Sequence, residues 1–298
     1  MRFYTLDVFT DRPFGGNPLA VVLNADALSG ERMQSIAAEF NLSETVFVLK
    51  PANAGVSRAK LRIFTPQAEL PFAGHPTIGT SYLLAKLNLI GLNASGAAMV
   101  LEEGIGDVPV TVQYGAQGPQ STRMSVPKMP ERGPEPPRCA ELAAMLSLAE
   151  ADLVPGHAAY SCGVPFLFLP VRDLAAIARV KLRHDLWEKL LSGWWAKSVF
   201  VFTSETLAQE ADIHARMFAP AMGIAEDPAT GGAVAALAGY LHALQPRDGT
   251  RSWLVEQGLE MGRPSRIELE ADASAGTITA VRVGGSSVLM SEGWCEVG

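Results

Sequence analysis

Arg62-Ile63-Phe64-Thr65-Pro66 and, a little further on, His75-Pro76-Thr77-Ile78-Gly79 each return later in the chain in altered form. The first comes back as Arg216-Met217-Phe218-Ala219-Pro220, an offset of 154 residues, and the second as Asp227-Pro228-Ala229-Thr230-Gly231, an offset of 152. Two more matches keep the same order. Glu44-Thr45-Val46-Phe47-Val48 returns as Lys197-Ser198-Val199-Phe200-Val201, offset 153. Gly16-Asn17-Pro18, before the apolar run Leu19 to Val22, returns as Gly163-Val164-Pro165 before Phe166 to Leu169, offset 147. One short match would arise by chance; four in register imply two copies of one unit. A period of about 150 residues is a domain, not a solenoid repeat.

Working outward, each copy reads as strands, a helix, more strands and a second helix. Phe3 to Phe9, Leu19 to Leu23, Val46 to Leu49 and Lys60 to Phe64 are strand-like. Ser29 can cap a helix whose Met33, Ile36, Ala37 and Phe40 share one stripe. A second helix follows Gly74 and runs to about Leu87; Ile78, Tyr82, Leu83, Leu84 and Leu87 make it apolar nearly all round, as a buried helix is. Its counterpart is expected from Pro228 to about Leu244, rich in alanine and glycine. Helices do not alternate regularly with strands, which disfavours a doubly wound parallel sheet. The expected fold is α+β: two pseudo-symmetric lobes, each a curved, mostly antiparallel sheet wrapped around a central helix. Gly115 to Pro119 and the run Pro130 to Pro137 read as linker. That places the lobes at 1–117 and 118–298, with the last strand free to return to the first lobe.

The 298 residues are 48% hydrophobic and 18% charged, enough apolar material for two cores. A net charge of -7, with no basic run, argues against a nucleic-acid partner. No run approaches the length of a spanning helix, so no membrane partner is expected. Cys139, Cys162 and Cys295 are odd in number and form no C-x-x-C pair, which points away from a disulfide framework or a zinc site. A cytoplasmic protein is the expectation. No Walker A, Rossmann glycine fingerprint, H-E-x-x-H or G-x-S-x-G elbow is present, so no metal or cofactor is expected.

Both expected buried helices begin alike. His75 and Asp227 each precede a proline and read as N-caps, with proline at the first helical position. Gly74 and Gly79, then Gly231 and Gly232, crowd the two starts. A helix N-terminus offers unpaired N–H groups and partial positive charge, so two such ends would suit a small carboxylate and an enolate-like charge formed beside it. Ordinary helix caps without a ligand remain the alternative. Glu44 stands between a helix end and an apolar strand, and its repeat partner reads as Lys197. From position alone it reads first as a charged residue guarding a hydrophobic strand; a partly desolvated carboxyl there would also suit proton transfer. Glu69 and Glu226 read as solvated loop acids, Asn17-Pro18 as a turn and Cys162 as a small buried residue.

These motifs together resemble the PhzF family of phenazine-biosynthesis proteins, in the diaminopimelate-epimerase-like superfamily. The resemblance rests on F-G-G-N-P-L-A-V-V-L (14–23), S-E-T-V-F-V (43–48), R-I-F-T-P-Q-A-E-L-P-F-A-G-H-P-T-I-G (62–79), G-V-P-F-L (163–167), E-D-P-A-T-G-G-A (226–233) and V-G-G-S-S-V-L-M-S-E-G (283–293). It spans essentially the whole chain. It implies a two-lobed fold, a homodimer and a proton shift made by one glutamate, here Glu44, without metal or cofactor. The reaction known for the family isomerises trans-2,3-dihydro-3-hydroxyanthranilate. By the same resemblance His75 and Asp227 act beside Glu44 as catalytic residues, and Gly74, Gly231, Gly232, Asn17 and Ser43 contact substrate. Gly232 departs from the pattern: the family usually has serine there, so a hydroxyl contact is lost and the backbone N–H kept.

The expected function is therefore a cofactor-independent isomerase of a small unsaturated or amino-substituted carboxylic acid. An epimerase or racemase of a small amino or hydroxy acid is one alternative, needing a second acid–base group opposite Glu44. A carboxylate-binding protein without catalysis is the other.

Overall fold

The computed structural model describes residues 1–89 and 97–296. It divides into two compact units, Met1–Pro127 with Val283–Gly298, and Lys128–Arg282. The first holds strands β1 (Arg2–Val8), β2 (Asn17–Val22), β3 (Glu44–Leu49), β4 (Ala59–Phe64), β5 (Glu69–Leu70), β6 (Ala97–Glu103), β7 (Gly106–Gly115) and β8 (Gly118–Ser125), with helices α1 (Gly30–Phe40) and α2 (Gly74–Lys86). The second holds β9 (Glu131–Arg132), α3 (Cys139–Met145), β10 (Ala158–Ser161), β11 (Pro165–Pro170), α4 (Leu174–Ala178), α5 (His184–Leu191) and β12 (Ser198–Thr203). It continues with β13 (Ile213–Ala219), β14 (Ile224–Asp227), α6 (Gly231–Leu244), β15 (Gly249–Gln257) and β16 (Ser265–Ser274). The last strand, β17 (Thr277–Trp294), starts in the second unit and ends in the first. The class is α+β, rich in strand.

The repeat is visible in strand pairing. In the first unit β1–β2 is antiparallel, β2–β3 parallel, β3–β4 antiparallel, β4–β6 parallel and β6–β7 antiparallel. In the second, β10–β11, β11–β12, β12–β13, β13–β15 and β15–β16 run through the same directions in the same order. Side chains repeat too. Arg62 makes a two-pronged bond to Glu69 and lies over the Phe64 ring; Arg216 does the same with Glu226 and Phe218. Glu69 and Glu226 are therefore paired acids, not free loop acids as the sequence reading had them. Lys60 bonds Glu102 where His214 bonds Glu256.

Register corrects one sequence match. Thr45 lies opposite Phe64, and Val199 opposite Phe218. The counterpart of Glu44 is thus Ser198, not Lys197; the resemblance of the two Val-Phe-Val runs had slipped the alignment by one residue.

Strand β17 pairs with both β1 and β8. The strands β1, β2, β3, β4, β6, β7, β8 and β17 therefore close into a ring, which removes the open edges a sheet would otherwise expose. Helix α2 is buried from Gly74 to Ala85 and packs on β1, β2, β3, β7 and β8. In the second unit α6 packs on β9, β10, β11 and β16. Each helix meets its sheet at a glycine. A Cβ on Gly79 would stand 2.6 Å from Leu19 and Val8 side-chain carbons, and one on Gly239 2.6 Å from Pro130 and 2.7 Å from the Tyr160 ring. Across from α6, the second unit packs α3, α4 and α5 with Trp187, Trp194 and Trp195 around Leu167, Val199 and Val201.

Some local expectations change. Ser29 caps α1 as expected, accepting from the Arg32 N–H. Gly115 to Pro119 is not a linker: it is the tight turn of the β7–β8 hairpin, which carries the first unit past the 117/118 boundary to Pro127. Asn17-Pro18 is not a turn but the start of β2, with Pro18 opposite Asp7. Proline is tolerated at a strand's first residues. The reversal is made earlier, at Phe9, Phe14 and Gly16, all left-handed.

Candidate active site

Helix α1 ends at Asn41, whose left-handed conformation caps it and turns the chain back toward the sheet. Three residues later β3 begins, with Glu44 as its first residue, buried and opposite Leu19 of β2. Ser43 donates its hydroxyl to the Asn17 side-chain oxygen at 3.1 Å, tying the start of β3 to the start of β2. His75 enters from α2. Its Nε2 is 3.4 Å from Glu44 Oε2, with both side chains nearly sealed from solvent.

His75 and Asp227 do not cap their helices, contrary to expectation. The residue preceding α2 is Ala73, so His75 is the second helical residue and Pro76 the third. The residue preceding α6 is Thr230; Asp227 ends β14, and the helix starts at Gly231 rather than Pro228. Asp and Pro at 227–228 serve an extended loop before the helix.

Burial pushes the His75 imidazole down to about 3, opposed by a hydrogen bond to the Pro18 backbone. Proline has only a carbonyl to offer, so a ring N–H donates to it. Nε2 makes no hydrogen bond among the described residues, which assigns the proton to Nδ1. A neutral ring fixed this way presents the Nε2 lone pair toward Glu44. It can accept a hydrogen bond from a protonated Glu44; it has no proton to give a carboxylate. Gly74 opens α2, where the first N–H groups have no partner within the helix.

In the second unit Thr230 donates to Asp227 Oδ2 at 2.5 Å. The Gln257 amide donates to the Asp227 carbonyl at 2.7 Å and to Thr230 Oγ1 at 3.1 Å, and its oxygen accepts from the Thr230 N–H. Ser265 donates to the Pro228 carbonyl. Gly258 adopts φ +76, and a Cβ there would sit 2.5 Å from that carbonyl, so this approach requires glycine. Gly231 and Gly232 open α6. A Cβ on Gly232 would meet only the Phe166 ring, at 3.8 Å. Thr230 and Gln257 were missed by sequence reading. Strand register places Gln257 where the first unit has Glu103. Among the described residues no group of three or more His, Cys, Asp or Glu is placed to hold a metal ion, and no helix is long and apolar enough to cross a membrane.

A family model described as phenazine biosynthesis-like protein matches residues 6–293. The chain belongs to that family. Among its phenazine-biosynthesis-like relatives, an uncharacterized isomerase of Mesorhizobium japonicum is 43% identical over 98% of both chains. The trans-2,3-dihydro-3-hydroxyanthranilate isomerase of Pseudomonas aeruginosa is 36% identical, again over 98% of each. Among solved structures, a PhzF-family phenazine biosynthesis protein of Bacillus anthracis superposes with a TM-score of 0.89 at 27% identity, covering 98% of this chain and 97% of that one. This member of the family is an enzyme of the isomerase class.

Proposed function

We propose that the protein moves a proton between two carbons of a small unsaturated or amino-substituted carboxylic acid, with Glu44 as the shuttle and no metal or cofactor taking part. The Glu44 carboxylate removes a proton from a carbon made acidic by conjugation. The electron pair left behind delocalises along the conjugated system, the double bond shifts, and the protonated Glu44 returns the same proton to a second carbon. Nothing is oxidised and no atom is lost. The start of α2, with Gly74 at its first position, supplies donors and partial positive charge for the substrate anion. Asn17 and Ser43 steady the strand that carries Glu44. On the family resemblance alone, Asp227 is assigned as a catalytic residue and Gly231 and Gly232 to substrate contact.

One observation carries the reading: a neutral imidazole whose Nε2 lies 3.4 Å from Glu44 Oε2. That lone pair stabilises Glu44 in the state that holds the substrate's proton, midway through the transfer. The same distance weighs against the epimerase alternative. Two bases that work on opposite faces of one carbon need room for that carbon between them, and 3.4 Å leaves none.

The test is incubation in D2O with a panel of such acids, including the dihydro-hydroxyanthranilate named for the Pseudomonas relative. Mass spectrometry and NMR score rearrangement and carbon-bound deuterium for wild type beside Glu44→Gln. General acid–base groups contribute roughly 10²- to 10⁴-fold, so the variant should lose that much turnover with its fold intact. Full turnover by Glu44→Gln would remove Glu44 from the mechanism. Thermal stabilisation by an acid that is never converted would favour the carboxylate-binding alternative.

A further inference from the structure

Glu103, the last residue of β6, is buried, and the mechanism above does not use it. Its Oε1 is 2.7 Å from the Thr77 hydroxyl, and its Oε2 has no hydrogen-bond partner among the described residues. The same Thr77 hydroxyl lies 2.8 Å from the Ala73 carbonyl. A hydroxyl carries one hydrogen, and a carbonyl can only accept. If Thr77 gives its hydrogen to Ala73, the contact with Glu103 needs a hydrogen from Glu103. The carboxyl group is then an acid, not a carboxylate.

The second unit contains an independent control. Lys60 pairs with Glu102 across β4 and β6, and His214 with Glu256 across β13 and β15. The next residues along β6 and β15 are Glu103 and Gln257. Gln257 bonds Thr230 and the Asp227 carbonyl, as Glu103 bonds Thr77. One copy holds its helix start with an amide that is always neutral; the other uses the acid of nearly the same shape.

We propose that Glu103 is a positioning residue: a neutral carboxylic acid that donates to the Thr77 hydroxyl, leaves the Thr77 hydrogen on the Ala73 carbonyl and so latches the first turn of α2 with His75 on it; when Glu103 ionises, the Thr77 hydrogen turns to the carboxylate and the Ala73 bond is released. The functional part rests on the role given to His75 above. Burial pushes the Glu103 carboxyl up to about 8, with the Thr77 bond opposing in part. No charged neighbour adds to this. Lys60 on β4 is engaged by Glu102, and Arg62 by Glu69 of β5. Asp107 on β7 accepts from Ser57. On α2, His75 is neutral and Lys86 lies over the Tyr82 ring.

Infrared difference spectra of wild type against Glu103→Gln, without substrate, test the protonation state. The expected result is a protonated-carboxyl band near neutral pH, absent from the variant, that fades as pH rises through about 8. No such band in wild type overturns the proposal, as does the same band in both proteins. Nitrogen NMR of the His75 ring tests the latch. Its signals should shift as Glu103 titrates in wild type and stay fixed over the same range in Glu103→Gln. A wild-type His75 signal that ignores this titration overturns the latch. Both readouts are independent of turnover. They would survive a failure of the isomerase reading, and their failure alongside intact turnover would sink the latch alone.

Discussion

A histidine that cannot easily be charged and a glutamic acid that cannot easily be ionised both bear on one helical turn. Their effects on stability run in opposite directions. For His75 the folded value is about 3 against 6.5 for the free ring, so between these limits the unfolded chain binds the extra proton. Stability from this group is full above pH 6.5 and is lost as pH falls toward 3. For Glu103 the folded value is about 8 against 4.5, so the unfolded chain gives up its proton first. Its contribution is full below 4.5 and is lost as pH rises to about 8. Urea titrations across this range, on wild type, His75→Gln and Glu103→Gln, should show each variant flattening one limb. A His75→Gln protein with an unchanged acid limb would mean that the ring is charged or exposed in the folded state.

At the scale of the element, α2 and α6 are built to be surrounded, and their glycines divide by role. Gly239→Ala drives a Cβ into Pro130 and the Tyr160 ring, where neither the pyrrolidine nor the aromatic ring can swing aside. Overpacking of this kind costs about 1–3 kcal/mol, more than the gain of up to about 1 kcal/mol in helix propensity. Gly232→Ala meets only Phe166 at ordinary contact distance, so chemical denaturation should find it neutral or slightly stabilised. Equal losses at both positions would argue against the close approach of α6 to β10. The helices themselves were legible because an all-round apolar run admits few other readings. Their starts were not. Ala73 makes no side-chain cap, and Thr230 uses its hydroxyl on Asp227 rather than on the helix, so the usual boundary chemistry pointed to His75-Pro76 and Asp227-Pro228 instead. Pro18 misled for a related reason: proline reads as punctuation, yet at the mouth of β2 its carbonyl holds the His75 ring.

Across the whole molecule the duplication was plain in sequence because arginine, phenylalanine and proline recur where the same strand and the same ion pair recur. What broke the symmetry was harder to see. Ser198 in place of Glu44 emerged only from strand register, and Gln257 in place of Glu103 is a single substitution outside any motif. Both differences are chemical, between copies whose backbones pair alike. The ring in the first unit leads to a further prediction. Removing residues 283–298 strips β1 and β8 of the strand that joins them. Hydrogen exchange should then show β1 and β8 unprotected while β12 and β13 keep their protection. Unchanged protection of β1 would mean that the ring does not depend on β17. In the cell the same dependence acts on a clock. A nascent chain emerging from the ribosome carries β1 to β8 out first, but the segment that seals them comes only after the whole of the second unit. The first unit made is therefore obliged to wait with two bare edges, while everything needed for the second has already emerged.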